Sequence, residues 1–343
     1  MVLNFIQVPP PHSARNLHNV IYDLLKKWGI EKKIFSITLD NARSNDNMQE
    51  LLCHSLNLER RLPCDGQFFH IRCCAHILNL IVQDGLKVID DFALSLRHGI
   101  KYVDGSEGRK LNFVDIAKRV GCNLSKGLWL DCVTRWNSTH VMLERALIYR
   151  EAFAALALED KNFVWNLEAE EWVKIEKIVA LLRPFSEITT LFSGTTYPTA
   201  NLYFANVWNI ELTLLKEMNN DEEYIRDMAK SMKEKFNKYW DCYNMVLAFG
   251  VILDPQYKLD YVRFCYMKLN ADNYMVKTNN VIESMEKLFQ EYSDDPVGVS
   301  SINQTSTRST TIEATSRNVI DAVSILSNVF CKFLTFSLRF VHF

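Results

Sequence analysis

The run Ile37-Thr38-Leu39-Asp40-Asn41-Ala42-Arg43-Ser44-Asn45-Asp46 places a carboxylate directly after an apolar alternation. An Asp at the carboxyl end of a strand is where α/β sheets present ligand contacts. A hard cation such as Mg²⁺ would suit that oxygen. The same residues equally suit a turn in which Asp40 and Asn41 cap the next helix. A second group, His70-Ile71-Arg72-Cys73-Cys74-Ala75-His76, contains Cys73-x-x-His76, the spacing of half a zinc site. A whole site needs four ligands, and Cys53, His54 and Cys64 are irregularly spaced. The favoured reading is therefore buried thiols beside a hydrogen-bonded imidazole, and no metal is assigned.

A third group runs from Trp129 through Asp131, Thr134, Arg135, Trp136, Asn137 and Ser138 to Thr139. It mixes a cation, an indole and small polar residues at what reads as a strand-to-helix junction. Arg135 can hold a phosphate or a carboxylate, and Trp136 can stack on a base or simply close a core. The fourth group is a basic bias. Between Arg97 and Arg135, eight Lys and Arg face four Asp and Glu, a local excess of +4 in a chain of net charge -2. Arg109, Lys110, Lys118 and Arg119 lie within it. Such a stretch can meet a phosphate backbone or be a solvated helix face. Phosphate-cradling Gly-rich loops, a Gly-x-Ser-x-Gly elbow and His-Glu-x-x-His are all lacking, which disfavours ATP-driven and dinucleotide chemistry.

These residues need elements to hold them. Ser13 to Gly29 reads as a helix, with Leu17, Val20, Ile21, Leu24, Leu25 and Trp28 on one face and Gly29 as its stop. Lys33 to Asp40 follows as a strand, Ser44 to Leu58 as a helix, Phe68 to Cys74 as a strand, and Ala75 to Lys101 as mainly helix. Val2 to Val8 reads as a further strand. This alternation indicates an α/β layer architecture. Later segments, 141–157, 169–191, 200–218, 222–239 and 274–292, carry helical periodicity. Pro184 is expected to kink or break its helix, and Pro198 suits a helix start. Met245 to Leu253 fits a strand or a buried helical turn.

The composition, 48% hydrophobic and 23% charged over 343 residues, is that of a folded chain with a sizeable core. The near-neutral balance gives no global signature for nucleic acid or anionic membrane. Nine irregularly spaced cysteines read as reduced thiols of a cytosolic or nuclear protein. Residues 293–317 hold 11 Ser or Thr and read as a disordered linker. The tail, 318–343, is apolar with five Phe but is too interrupted by Lys332 and Arg339 for a membrane span.

Taken in order, Phe35-Ser-Ile-Thr-Leu-Asp40-Asn41, Arg72-Cys73-Cys74-Ala75-His76-Ile77-Leu78-Asn79-Leu80 and Thr134-Arg135-Trp136-Asn137-Ser138-Thr139 resemble the hAT superfamily transposases. The likeness is closest to the plant RICESLEEPER-type, BED-zinc-finger transposase-derived proteins. Tyr197-Pro198-Thr199-Ala200-Asn201, Phe236-Asn-Lys-Tyr239-Trp240 and Leu253-Asp254-Pro255-Gln-Tyr257-Lys258 continue it. The resemblance implies an α/β, RNase H-like core with a large all-helical insertion. On that basis 1–140 is expected to be a partial core and 141–292 the helical insertion and hAT-like region. The linker and the atypical tail follow. In active members three carboxylates hold two divalent ions that assist phosphodiester chemistry. Asp40 matches the second carboxylate. The first would come from a strand upstream of Met1 and the third from a Glu near the end of the insertion. Both are expected to be missing, and Glu313 has no matching context. Asn41, Cys73 and His76 match family motif positions. Trp136 matches a position implied to hold flipped or hairpinned DNA.

The resulting expectation is a transposase-derived, DNA-binding nuclear protein that is catalytically inactive, with Asp40 vestigial and no cofactor, Mg²⁺ belonging to active relatives. Arg135, Trp136, Arg109, Lys110, Lys118 and Arg119 are the expected nucleic-acid contacts. DNA and protein partners are expected, a membrane is not, and the relatives' BED finger and dimerisation region are expected to be absent. One alternative is a protein-interaction scaffold or a truncated product. The other is an active Mg-dependent transposase, which would need Asp131 or Asp254 to join Asp40. A sheet lacking an early strand is expected to show an unpaired edge.

Overall fold

The computed structural model describes residues 4, 6–59, 62–194, 200–240, 244–293 and 334–337. It divides the chain into two compact units, each discontinuous in sequence.

The first unit comprises 1–74, 194–208 and 242–343. Its opening helix α1 (Ala14–Trp28) is fixed at both ends by local chemistry. The Ser13 hydroxyl accepts from the Asn16 amide, and Gly29 turns left-handed at φ 62° so that its N–H reaches the last carbonyls. β1 (Ile34–Leu39) follows, then α2 (Arg43–Glu59), a short 3-10 turn (Pro63–Gly66) and β2 (His70–Arg72). Leu17, Ile21 and Leu25 of α1 meet Met48, Leu52 and Leu56 of α2 over Ile34, Ile37 and Leu39 of the strand. A ring chain Phe35–Phe68–Phe249 carries the core onward to α11 (Met245–Ile252). α12 (Lys258–Leu269) and α13 (Tyr274–Ser293) pack with α11. The sheet is parallel, in the order β2-β1-β3, and β3 is Leu334–Ser337. Both edges of β1 are therefore paired, so the open edge expected there is covered by a segment of the tail. The rest of the Ser/Thr-rich linker and the tail lies outside the described residues, as do Pro198 and part of the expected strand 2–8. Asn4 and residues 6–8 are not in a strand.

The second unit comprises 75–193 and 209–241. It holds α3 (Cys74–Leu86), α4 (Asp90–Asp104), α5 (Glu107–Arg119), α6 (Trp136–Ile148), α7 (Arg150–Glu159) and α8 (Ala169–Phe192). The second half of α9 (Ala200–Glu217) and all of α10 (Glu223–Trp240) complete it. Phe113, Tyr149, Phe153, Phe163 and Trp172 form a contiguous aromatic core.

The structure bears on four sequence expectations. The helical unit begins near Ala75, not after residue 140, and the chain returns to the first unit from 242. A helix-rich stretch attached to a sheet carries no local mark of where it leaves the sheet's unit. α8 runs through Pro184 without a break. Leu181, Leu182, Phe185 and Ile188 are all buried around it, and their burial outweighs the one lost hydrogen bond. Of the two readings of 245–253, the structure takes the buried helix, over 245–252. The segment before Arg135 is an irregular loop, so the junction is loop-to-helix.

Candidate functional site

Asp40 sits where β1 stops. Its Oδ1 accepts from the Ala42 amide at 3.1 Å and from Asn45 Nδ2 at 2.6 Å, which starts α2. Asn45 is 4% exposed, so this carboxylate also satisfies a buried amide. One strand over, Arg72 ends β2. Its guanidinium donates to Asn41 Oδ1 at 3.0 Å and lies 3.1 Å from Asp46. The Cys73 amide donates to the Leu39 carbonyl at 2.7 Å, closing the ladder beside Asp40. The structure thus brings Asp40, Asn41 and Cys73 together at one strand end. Arg72 and Asn45 tie that end together and were missed as site residues, although Arg72 stands inside the quoted motif. His76 lies in the first turn of α3. Among the described residues, no three His, Cys, Asp or Glu side chains are grouped to hold a metal.

In the second unit, the Arg-Trp-Asn-Ser-Thr run fastens a loop to α6. Ser138 Oγ accepts from the Cys132 amide and donates to the Cys132 carbonyl. Thr139 donates to Asp131 at 2.7 Å. Asn79 and Gln83, one turn apart on α3, receive the start of α6: Asn79 Oδ1 accepts from the Trp136 amide, and Gln83 donates to the Thr134 carbonyl. Asp131 is gripped by Arg97, which sets the loop's depth.

Arg135 is exposed at the amino end of α6 and has no ion-pair partner among the described residues. The other four cations are exposed and engaged. Lys118 lies 3.4 Å from Asp115, Lys110 3.6 Å from Asp104, and Arg119 donates to Glu159 at 2.7 Å. Arg109 lies over the Tyr102 ring at 3.9 Å. Exposed pairs of this kind contribute little and yield readily to a phosphate. Trp136 is different. Its indole is 2% exposed, packed edge-on to His140, so it is a core side chain in this structure. The indole presented to solvent here is Trp129, 48% exposed and backed by Arg145. Trp129 opens the quoted run, but sequence reasoning assigned the stacking role to Trp136, because burial decides between the two indoles and spacing does not show it.

Residues 1–68 match the ZBED1 RNase-like domain, 71–181 the ZBED1 RNase-like helical domain, and 201–292 the hAT-like transposase, RNase-H fold. The chain belongs to the hAT-like transposase family. Among its relatives is the zinc finger BED domain-containing protein RICESLEEPER 2 of Oryza sativa subsp. japonica. It is 34% identical over 297 residues, which are 86% of this chain and 41% of the relative. An AC transposase of Zea mays is 35% identical over 295 residues, 85% of this chain and 37% of that protein. DAYSLEEPER of Arabidopsis thaliana is 28% identical over 294 residues, 85% and 42% respectively. This hAT-like chain therefore spans less than half the length of these relatives.

Membership raises the question of two Mg²⁺ ions at Asp40. The donor set around it does not fit them. The Oδ1 of Asp40 already accepts two hydrogen bonds, and Asp46, the other carboxylate tied to this strand end, is paired with the Arg72 guanidinium. Asp131 is committed to Arg97 and Thr139, and Asp254 to Asn201 and the Gln256 amide. No step is derived through a metal from these residues.

Proposed function

We propose that this chain is the body of a transposase-derived nuclear protein that holds duplex DNA by its charges and leaves the strands intact. The observation that carries the reading is Arg135, an exposed cation without an ion-pair partner among the described residues, at the amino end of a 13-residue helix. The positive end of the helix dipole there adds to its attraction for a phosphate, although the Trp136 amide is already bonded to Asn79. The exposed Lys118, Arg119 and Lys126 of the preceding segment extend positive charge from it along the chain. Trp129 offers an exposed ring for stacking. That the chain does not cut DNA rests on the single carboxylate at the end of β1. The nuclear setting and the DNA partner rest on kinship with proteins named for a BED zinc finger and for transposition.

The test is duplex binding by the wild type and by Arg135→Glu at several salt concentrations. Affinity should fall steeply with salt, by orders of magnitude between about 50 and 200 mM if several phosphates are neutralised. Arg135→Glu should weaken binding for all sequences alike. A wild type that ignores duplex DNA at low salt contradicts the reading. It would favour instead a protein-interaction scaffold, for which Val133 (65% exposed), Trp129 and Leu130 on one loop are the relevant surface.

A further inference from the structure

β1 (Ile34–Leu39) has a parallel neighbour on each side, β2 from nearby in sequence and β3 from the far carboxyl-terminal segment. The second pairing aligns Ile34 with Leu334, Ile37 with Phe336 and Thr38 with Ser337, with an irregularity between the first two. Three features set β3 apart from an ordinary core strand. It has four residues, hence few ladder bonds. Its sequence, Leu-Thr-Phe-Ser, alternates apolar and polar residues. It is joined to the end of α13 only through 294–333, a stretch long enough to return to β1 from any direction. β1 itself is deeply buried: Ile34, Phe35, Ser36, Ile37 and Leu39 are all 5% exposed or less. Its outward N–H and C=O groups on the β3 side need partners, and an edge without them recruits another strand.

We propose that the edge of β1 opposite β2 is a strand-acceptor site, and that Leu334–Ser337 is its intramolecular ligand. The tether gives the segment a high local concentration, so it wins over the same segment of a second copy. Its short length makes it releasable on its own, without unfolding the rest of the unit. Asp40 directly follows β1, so the state of this clip governs how firmly the Asp40–Asn41–Arg72 cluster is held.

Hydrogen exchange on the full-length chain tests this, read by mass spectrometry over 334–337, over β1 and over α8 as a control. In the wild type, both 334–337 and β1 should exchange slowly. Phe336→Pro removes an N–H and resists a paired strand. It should speed exchange about tenfold or more in both segments and leave α8 unchanged. A synthetic peptide of the 331–340 sequence added to that variant should restore protection in β1. Exchange of 334–337 at the rate of an unstructured chain in the wild type overturns the proposal, and this reading needs no variant to fold. Unaltered β1 exchange in Phe336→Pro, or failure of the peptide to restore it, overturns it also. Protection that grows with protein concentration alongside dimers in light scattering assigns the strand to a second copy, and overturns the intramolecular clip.

Discussion

Arg97 and Asp131, 34 residues apart in sequence, meet through a two-pronged ion pair: Nε donates to Oδ1 at 2.9 Å and Nη2 to Oδ2 at 2.9 Å. The Asp131 side chain is 1% exposed and that of Arg97 14%. Truncating Arg97 would leave a buried charge without its partner. Arg97→Met should therefore lose about 3–5 kcal/mol in urea unfolding. Burial alone would raise the Asp131 carboxyl, but the hydrogen bonds from Arg97 and Thr139 outweigh it and hold the group below its ordinary range. Its stabilisation is thus full above about pH 3.9 and fades as pH falls through the lower folded value. The variant should lack that acid-side loss. An unchanged urea midpoint for Arg97→Met would remove the pair as the anchor of the loop.

His140 should make the second unit sensitive to mild acid. It is 5% exposed on α6, against the Trp136 ring, and neither ring nitrogen has a hydrogen-bond partner among the described residues. Burial lowers its pKa, Arg183 lowers it further, and Glu144 opposes them. The unfolded imidazole takes up a proton near pH 6.5 while the folded one stays neutral. Stability should fall as pH drops below that point, by at most about 1.4 kcal/mol per pH unit. Thermal midpoints of the wild type and His140→Phe at about pH 7.5 and about pH 5.5 check this. The wild type should lose more on acidification, and parallel losses would acquit His140.

Gly250 is a point of close approach between backbones. A Cβ built there would lie 2.9 Å from the Ala200 carbonyl carbon and 3.1 Å from its oxygen. Backbone cannot swing aside as a side-chain tip can. Gly250→Val should cost about 1–3 kcal/mol by overpacking, and Gly250→Ala a smaller share. A thermal melt of the alanine variant matching the wild type would show that α11 has room to shift.

Asp40 is expected to act as a structural acceptor. Asp40→Ala strips partners from the Ala42 amide and from the buried Asn45 side chain, which should cost about 1–3 kcal/mol. Duplex binding should be unaffected. Adding Mg²⁺ should not raise the melting temperature of the wild type. A Mg²⁺-dependent rise that vanishes in Asp40→Asn would establish a metal site there.

What could be read from residue order was local. Ser13 and Gly29 announce the ends of α1 because caps act within a few residues. Asp40 could be placed at a strand end because Phe35, Ile37 and Leu39 alternate before it. Non-local pairings left no such mark. Nothing in the spacing of Arg97 and Asp131 foretells their contact. Nothing in the apolar tail told that Leu334–Ser337 would lie against β1. Pro184 carries a local rule that burial of Leu182 and Phe185 overrode. Trp136 was chemically ambiguous, and only packing decided it. α12, not expected from the sequence, opens at Lys258 with a φ of 58°, outside the helical range.

Duplex binding without cleavage can be read in a single assay. The most direct measurement incubates end-labelled duplex with the full-length chain in Mg²⁺ at low salt, then resolves complexes on a native gel and recovered strands on a denaturing one. A retarded complex that dissolves as salt rises is expected, with every strand recovered at full length. Absence of a complex at low salt, or Mg²⁺-dependent nicking that is lost in Asp40→Asn, would contradict it.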